Sequence, residues 1–189
     1  MTKKIGFAIT GSFCCHEDAL KELEKLVKKG YDITPIITPT VSQTSTRFGN
    51  CEDLKEKLRK LTGKEPVDSL IGAEPLGPKN IIEAIIIAPC TGNTLAKLAN
   101  GISDNAVTMA TKSLMRNHKP VIIAVSSNDA LGLNLQNLAK LINTKGIYFV
   151  PFKQDNYAGK PKSLVANWSK IEPTLKKALK GSQIQPVID

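Results

Sequence analysis

Three polar segments of the sequence each follow an apolar run: "ITGSFCCHED", "APCTGNT" and "AVSSNDALGLN". They are rich in glycine, serine, threonine and asparagine, whose hydroxyls, amides and accessible backbone N–H groups suit phosphates and the edges of heterocycles. Thr38-Pro39-Thr40, at the end of a further apolar run, adds a fourth hydroxyl cluster. If the runs are parallel strands, their carboxyl ends meet at one edge of the sheet, where open α/β sheets bind ligands. The candidate binding residues are Gly11, Ser12, Thr38, Cys90, Thr91, Asn93, Thr94, Ser126 and Asn128.

The sequence does not contain the phosphate-binding loops that are defined by glycine spacing. Its first polar segment has one useful glycine, Gly11, and matches neither the G-x-G-x-x-G loop of dinucleotide sites nor the G-x-x-x-x-G-K-[ST] loop. We therefore expect this edge to bind a mononucleotide, or no nucleotide at all, in preference to NAD.

Cys90 is the candidate nucleophile of this group, and two roles compete for it. It stands just before a predicted helix, whose N-terminus can lower the pKa of a thiol. No histidine or lysine is adjacent, which favours a role in packing or in lining the pocket. The other cysteines are Cys14, Cys15 and Cys51. Since no C-x-x-C pair is present, we expect no metal site and four reduced, mostly buried thiols.

Acid–base chemistry has few candidates, because the sequence has only two histidines. His16 lies at a predicted helix start near the ligand edge, where the helix dipole disfavours its protonation. It is either a neutral hydrogen-bonding group of the site or an ordinary polar residue of the first helical turn. His118 precedes a strand at the opposite edge, and no Ser-His-Asp arrangement is visible. No residue is therefore assigned as catalytic.

The composition is that of one ordinary globular domain. The 189 residues are 41% hydrophobic, and no apolar run approaches the roughly 20 residues that cross a membrane. The amino-terminal segment indicates a first strand in preference to a signal peptide, so we expect a cytoplasmic protein. The net charge of +9 comes mostly from lysines interleaved with glutamates, and aromatic residues are only 5%. A solvated surface is favoured over a nucleic-acid site, although a basic field also attracts anionic substrates.

Strand and helix patterns alternate along the chain, which predicts one doubly wound α/β domain over residues 1–180. The sheet is expected to be mostly parallel, with helices on both faces. Local expectations are a bulge at Pro35, a short edge strand at 68–71, a break at Pro173 and a flexible tail at 181–189. Strands are predicted at 4–10, 31–38, 81–88, 120–125 and 146–151, and helices at 16–29, 51–62, 93–99, 104–117, 134–144 and 164–179.

Two segments resemble a known family. "IGFAITGSFCC" is similar to the first strand and Gly-Ser loop, and "APCTGNTLAKLANGISDNAVTMA" to the Pro-Ala-Ser-Ala-Asn-Thr motif, of the flavoprotein family that includes FMN-dependent cysteine decarboxylases and flavin prenyltransferases. The resemblance implies a Rossmann-like or flavodoxin-like fold, FMN as a possible cofactor, and a trimer or dodecamer. It implies flavin contacts at Gly11, Ser12, Thr38, Asn93 and Ser126, whereas Cys90 and the Asn128–Asp129 pair are alternatives that shape the pocket for another ligand.

The sequence departs from the decarboxylase pattern in two places. That pattern has a catalytic histidine after the second strand, and residues 41–62 contain none. It also has a cysteine in a late flexible segment, and residues 129–189 contain none. Cysteine decarboxylation is therefore not the expected activity.

A longer resemblance is to family members that form one of the two components of a synthase in spore-forming bacteria. It is carried also by "TRFG", "VSSNDALGLN" and "PFKQDNYAGKPKSLVA". It implies oxidation of dihydrodipicolinate to dipicolinate in the mother-cell cytoplasm, with NAD(P) bound by the partner component. Arg47 and nearby lysines are candidates for holding a dianionic substrate. The alternatives are a scaffold component without redox chemistry and an FMN-dependent decarboxylase.

Overall fold

The computed structural model describes residues 2–189, which form a single α/β domain around a seven-stranded sheet. The strands are β1 (Lys4–Ile9), β2 (Asp32–Ile37), β3 (Ala84–Cys90), β4 (Val121–Ser127), β5 (Ile147–Phe149), β6 (Phe152–Lys153) and β7 (Leu164–Ala166). The helices are α1 (His16–Lys28), α2 (Pro39–Gln43), α3 (Cys51–Thr62), α4 (Leu70–Ala73), α5 (Gly92–Ala99), α6 (Ala106–Met115), α7 (Leu135–Ile142) and α8 (Ile171–Ala178).

Five parallel strands make the body of the sheet, in the order β2-β1-β3-β4-β5. The end of β4 also pairs antiparallel with β7, which pairs with β6. The direction of chain progression reverses between β1 and β3, which creates the crevice where doubly wound folds bind ligands. The predicted fold class is therefore confirmed, and the predicted binding loops follow the strands that flank this crevice.

Strand β3 is buried along its whole length, and its side chains alternate between two separate cores. Ile85 and Ile87 pack in the core covered by α5, α6 and α7. Ile86 packs in the other core, which is covered by α1, α3 and α8. A strand covered on both faces reads as a continuous apolar run, and this is why the isoleucine-rich segment was recognisable.

Lysines on α1 are paired with acidic side chains of the same helix. Lys21 pairs with Glu17 at 3.0 Å and Lys28 with Glu24 at 2.7 Å, each one helical turn apart. The opposite face of α1 buries the apolar side chains. Such exposed pairs contribute little to stability, so they describe a solvated face.

The expected bulge at Pro35 is wrong, because β2 keeps six consecutive partners on β1. The backbone N–H of Ile37 points outward and donates to the Val67 carbonyl at 2.9 Å. Backbone N–H directions alternate along a strand, so the nitrogen of Pro35 also faces outward. Its missing N–H therefore removes no bond from the β1–β2 ladder.

Three further sequence expectations are wrong. Residues 68–71 are not a strand, because Ser69 caps α4 by accepting a hydrogen bond from the Gly72 N–H, at 3.1 Å. Residues 164–179 are not one helix, because residues 164–166 pair as β7 with the end of β4. Pro173 breaks nothing, since it lies in the first turn of α8, where backbone N–H groups have no helical acceptor.

Residues 181–189 form hydrogen bonds with β5 and β6. The side chain of Gln183 donates to the carbonyl of Phe149 at 2.7 Å and accepts from its N–H at 2.8 Å. The N–H of Phe152 donates to the carbonyl of Val187 at 3.1 Å, and Val187 packs on the core. The flexibility of this segment stays a prediction. Among residues 2–189, no helix is long and apolar enough to cross a bilayer.

Gly77 provides a test of how tightly the layers pack. A Cβ at this position would lie 2.3 Å from the backbone oxygen of Ser113 on α6, which cannot move without displacing the helix. We expect Gly77→Ala to lower the free energy of unfolding by about 2 kcal/mol, measured by urea denaturation. Gly11→Ala is the control, because its nearest neighbour would be 3.6 Å away. Equal stability of both variants would contradict this packing.

Candidate functional site

The ends of β1 and β3 are joined by the side chain of Thr10. Its hydroxyl donates to the carbonyl of Pro89 at 2.7 Å and accepts from the N–H of Thr91 at 3.1 Å. Thr10 is fully buried, so both bonds are shielded from water. They fix the two loops that begin at these strand ends relative to one another.

His16 holds the first of these loops. Its Nε2 lies 2.8 Å from the carbonyl oxygen of Thr10, which requires that Nε2 carry the proton and donate. Burial lowers the pKa of His16, so the ring is neutral at pH 7. The ring also packs against Phe13 at 5.0 Å between centroids. Because its ring bonds to the protein backbone, His16 acts as a positioning residue at the first turn of α1.

The start of α5 places Asn93 between Thr91 and Thr94, whose hydroxyls bond to one another. Thr91 caps the helix by accepting from the N–H of Thr94 at 3.2 Å, and the two hydroxyls lie 3.1 Å apart. Asn93 is exposed, and no group within residues 2–189 forms a hydrogen bond with its amide. Its donor and acceptor are therefore available to a ligand.

The end of β4 reaches across to the first loop. The hydroxyl of Ser126 lies 2.7 Å from that of Ser12 and 3.1 Å from the thiol of Cys15. β1 and β4 are separated by β3, so this contact spans the crevice at the switch point. Burial is the main reason that the pKa of Cys15 is raised, so this thiol is protonated at pH 7.

Asp129 anchors the wall next to β4, a role that the sequence does not reveal. Ser127 donates to one carboxylate oxygen at 2.6 Å, and Asn134 donates to the other at 2.7 Å. The hydrogen bond from Ser127 is the largest cause of the lowered pKa of Asp129. A Cβ on Gly92 would lie 2.6–2.8 Å from all three of these side chains, so α5 needs glycine there.

Two adjoining clefts contain eight of the nine predicted binding residues. The larger has a volume of about 610 Å³ and the smaller about 370 Å³. Gly11, Thr91 and Asn93 line both. Ser12, Ser126 and Asn128 line only the larger cleft, whereas Thr38 and Thr94 line only the smaller one. Sequence reasoning missed Cys14, Cys15 and Lys160 in the larger cleft.

Cys90 lines neither cleft. It is fully buried in the core beneath α5, and burial raises the pKa of its thiol. The side chain points away from the polar edge, although its neighbour Thr91 faces the clefts. The expectation that the cysteines are mostly buried is wrong for the others, since Cys14 is exposed and Cys15 and Cys51 are half-buried. All four are free thiols.

Thr38 lies at the start of a helix that the sequence analysis did not predict. It ends β2 and caps α2, whose Val41 N–H donates to its hydroxyl at 3.4 Å. The signal was present in the sequence, because a threonine followed by proline is a common helix start. This short helix turns the chain toward the smaller cleft.

Comparison with known proteins agrees with this architecture. A family model described as Flavoprotein matches residues 1–178. The B subunit of dipicolinate synthase from Bacillus subtilis (strain 168) is 46% identical over 186 residues, covering 98% of this chain and 93% of that protein. The crystal structure of the dipicolinate synthase B subunit from Bacillus halodurans has a TM-score of 0.91 at 44% identity and covers 100% of this chain and 98% of that chain.

A more distant structure shares the fold alone. The FMN-dependent cysteine decarboxylase SpaF has a TM-score of 0.69 at 20% identity, covering 93% of this chain and 97% of that chain. Both resemblances inferred from the sequence motifs are thus confirmed, the broad one by the family model and the longer one by the two Bacillus proteins. The chain belongs to the flavoprotein family.

Proposed function

We propose that the chain acts as the B subunit of a dipicolinate synthase and, with the A subunit of that enzyme, oxidises dihydrodipicolinate to dipicolinate. The proposal is supported by the Bacillus subtilis relative of that name, which aligns over nearly the whole chain. The observation that carries it is the larger cleft, which opens at the switch point where doubly wound folds bind small molecules. Its volume of about 610 Å³ is in the range of small-molecule sites.

The two clefts fit FMN as a cofactor. Four threonines line the smaller cleft, together with Lys97, which pairs with Asp104 at 2.6 Å. The N-terminus of α5 opens onto this cleft, which suits a phosphate. The free amide of Asn93 lies where both clefts meet and can donate to and accept from a heterocycle edge. We therefore propose Gly11, Ser12, Thr38, Thr91, Asn93, Thr94, Ser126 and Asn128 as the binding residues. Bound flavin supplies a ring that accepts a hydride or electrons.

The side chains that the structure places around the clefts act mainly by positioning other groups. Neither cleft is lined by a histidine among the described residues, and His16 donates to a backbone carbonyl. Asp129 already accepts from Ser127 and Asn134. Within residues 2–189, the absence of histidine from both clefts supports a division of labour in which the A subunit binds NAD(P). It also favours, as the second candidate, a scaffold role without redox chemistry over a decarboxylase.

The assembly and location follow from the same proposal. We propose a homo-oligomer, a trimer or a dodecamer, that functions in the cytoplasm of the mother cell of a sporulating bacterium. Nucleic acid and membrane are not proposed partners, because the lysines that are paired on α1 describe a solvated face.

Reconstitution tests the proposed function. Purified chain and the A subunit together are expected to form dipicolinate from dihydrodipicolinate with NAD(P)⁺, followed by ultraviolet absorbance, whereas either alone is expected to be inactive. The assay is run with and without added FMN, and a visible spectrum of the purified chain is recorded. Dipicolinate formed by this chain alone would contradict the partner requirement.

The spectrum separates the two candidates. Flavin absorbance together with activity supports the redox role. A colourless chain that activates the A subunit equally with or without FMN supports the scaffold.

Replacement of Asn93 should affect ligand binding without affecting the fold. We expect Asn93→Ala to weaken FMN binding, measured by fluorescence titration, about tenfold, because the amide has no role within the protein. Asn100→Ala is the matched control at the other end of α5, where the amide donates to the carbonyl of Ala96 at 2.8 Å. If both variants bind FMN like the wild type, Asn93 does not contact the cofactor.

Cys90 is expected to be dispensable for chemistry. The thiol is buried away from both clefts, and burial keeps it protonated. We therefore expect Cys90→Ala to keep full activity with the A subunit and to lower the free energy of unfolding by about 1 kcal/mol. In the native wild type, a thiol reagent should modify Cys14 first and Cys90 only on unfolding, as peptide mass spectrometry would show. Rapid modification of Cys90, or loss of activity in a folded Cys90→Ala protein, would restore the nucleophile hypothesis.

A further inference from the structure

The larger cleft has two positively charged side chains, Arg47 and Lys160. The chain has 26 lysines and arginines, and these two are the only ones of the described residues that line this cleft. The other arginines are placed elsewhere. Arg59 is paired with Glu65 at 2.7 Å, and Arg116 lies at the carboxyl end of α6, beyond the opposite edge of the sheet.

Arg47 lies on a tight turn that fixes its backbone. The N–H of Thr46 donates to the carbonyl of Gly49 at 2.9 Å, and the N–H of Gly49 donates back at 3.1 Å. The guanidinium carbon lies 4.8 Å from the centre of the Phe48 ring, an arrangement that restrains a planar cation. Within residues 2–189, no carboxylate lies within 4 Å of this guanidinium. Its charge is therefore available for a ligand.

Lys160 lies on the connection between β6 and β7. Its N–H donates to the carbonyl of Asn156 at 2.7 Å, and its carbonyl accepts from the N–H of Ser163 at 3.0 Å. No described carboxylate forms an ion pair with it. Asp155 is the acidic group near it: burial raises the pKa of that carboxyl, but the Ser163 hydrogen bond and the Lys160 charge leave it lowered. Asp155 thus offsets part of the lysine's charge.

The two cations reach the cleft from loops at opposite sides of the strand order. Arg47 comes from the segment between β2 and α3, and Lys160 comes from the β6–β7 connection, at the other end of the order β2-β1-β3-β4-β7-β6. Neutral groups line the floor between them, including Ser12, Ser126 and Asn128. Asp129 also lies there, but both its oxygens already accept hydrogen bonds.

We propose that Arg47 and Lys160 bind the two carboxylates of a planar heterocyclic dicarboxylate, so that this chain carries the recognition site for the substrate. The inference rests on the proposed function, because it names the substrate class of the same cleft. Arg47 suits a bidentate bond to one carboxylate, whereas Lys160 acts as a point charge on the other. Between them the ring faces hydroxyl and amide groups, and the carboxylate of Asp129 has both oxygens bonded to Ser127 and Asn134. A monocarboxylate can engage only one of the two cations.

Binding of two pyridine ligands to the purified full-length chain tests this site. The ligands are pyridine-2,6-dicarboxylate and pyridine-2-carboxylate, titrated by calorimetry in metal-free buffer because both chelate divalent cations. The wild type is expected to bind the dicarboxylate at least tenfold more tightly. Arg47→Ala and Lys160→Ala are each expected to weaken dicarboxylate binding about tenfold and to abolish the preference over the monocarboxylate.

Matched controls separate a local effect from a change in net charge. Arg116→Ala and Lys145→Ala remove one exposed cation each from the opposite edge of the sheet and should leave both affinities unchanged. Arg47→Lys keeps the charge but loses the planar guanidinium that forms two bonds to one carboxylate, so it should recover only part of the affinity. Circular dichroism checks that every variant is folded.

Three results would overturn the proposal: a wild type that binds neither ligand, one that does not prefer the dicarboxylate, or cleft variants that bind like the controls. The proposed function is read separately, from activity with the A subunit. If that assay fails while Arg47→Ala and Lys160→Ala still abolish the dicarboxylate preference, the dicarboxylate site stands and the synthase assignment falls. If both variants instead keep wild-type activity and KM with the A subunit, the synthase assignment stands and the dicarboxylate site is wrong.

Discussion

The buried hydroxyl of Thr10 joins the two strands on which the whole ligand edge depends. It donates to Pro89 and accepts from Thr91, so the ends of β1 and β3 are held at one fixed separation. The carbonyl of the same residue accepts from His16, which fixes the start of α1. Loss of these partners would leave the buried hydroxyl without hydrogen bonds and would lower the free energy of unfolding by about 1–3 kcal/mol. Both clefts take their walls from loops that begin at this point.

The polar residues around this point have two different tasks. Thr91, Thr94 and Asp129 use their hydrogen-bonding groups within the protein, and they hold the clefts in shape. Asn93 and Arg47 lie at the same edge with polar groups that no described residue uses. One set of residues therefore shapes the site, and the other is free to bind a ligand. Both sets lie on loops and a helix start that the buried parallel sheet supports.

The core strands could be predicted because burial on both faces leaves a continuous apolar run, as in β3. Errors fell where a segment's structure depends on a distant partner. Residues 164–166 are only a three-residue strand, defined by pairing with Ser126 and Ser127 at the end of β4. Pro35 suggested a bulge, but only the position of the neighbouring chain segment shows that its nitrogen faces outward.

The sequence by itself determined the order of the five parallel strands and of most helices between them, together with the polar segments at the strand ends, because these follow from local periodicity and from the parallel arrangement. The tertiary structure decided which candidates face a ligand. It placed Cys90 in the core and Thr91 on the cleft, and it brought Ser12 and Ser126 within 2.7 Å although they are 114 positions apart. It also placed Arg47, a candidate from the sequence, in the larger cleft and identified Lys160 among the lysines as its second cation. Such choices depend on how strands pair and helices pack, and local sequence does not encode distances between remote residues.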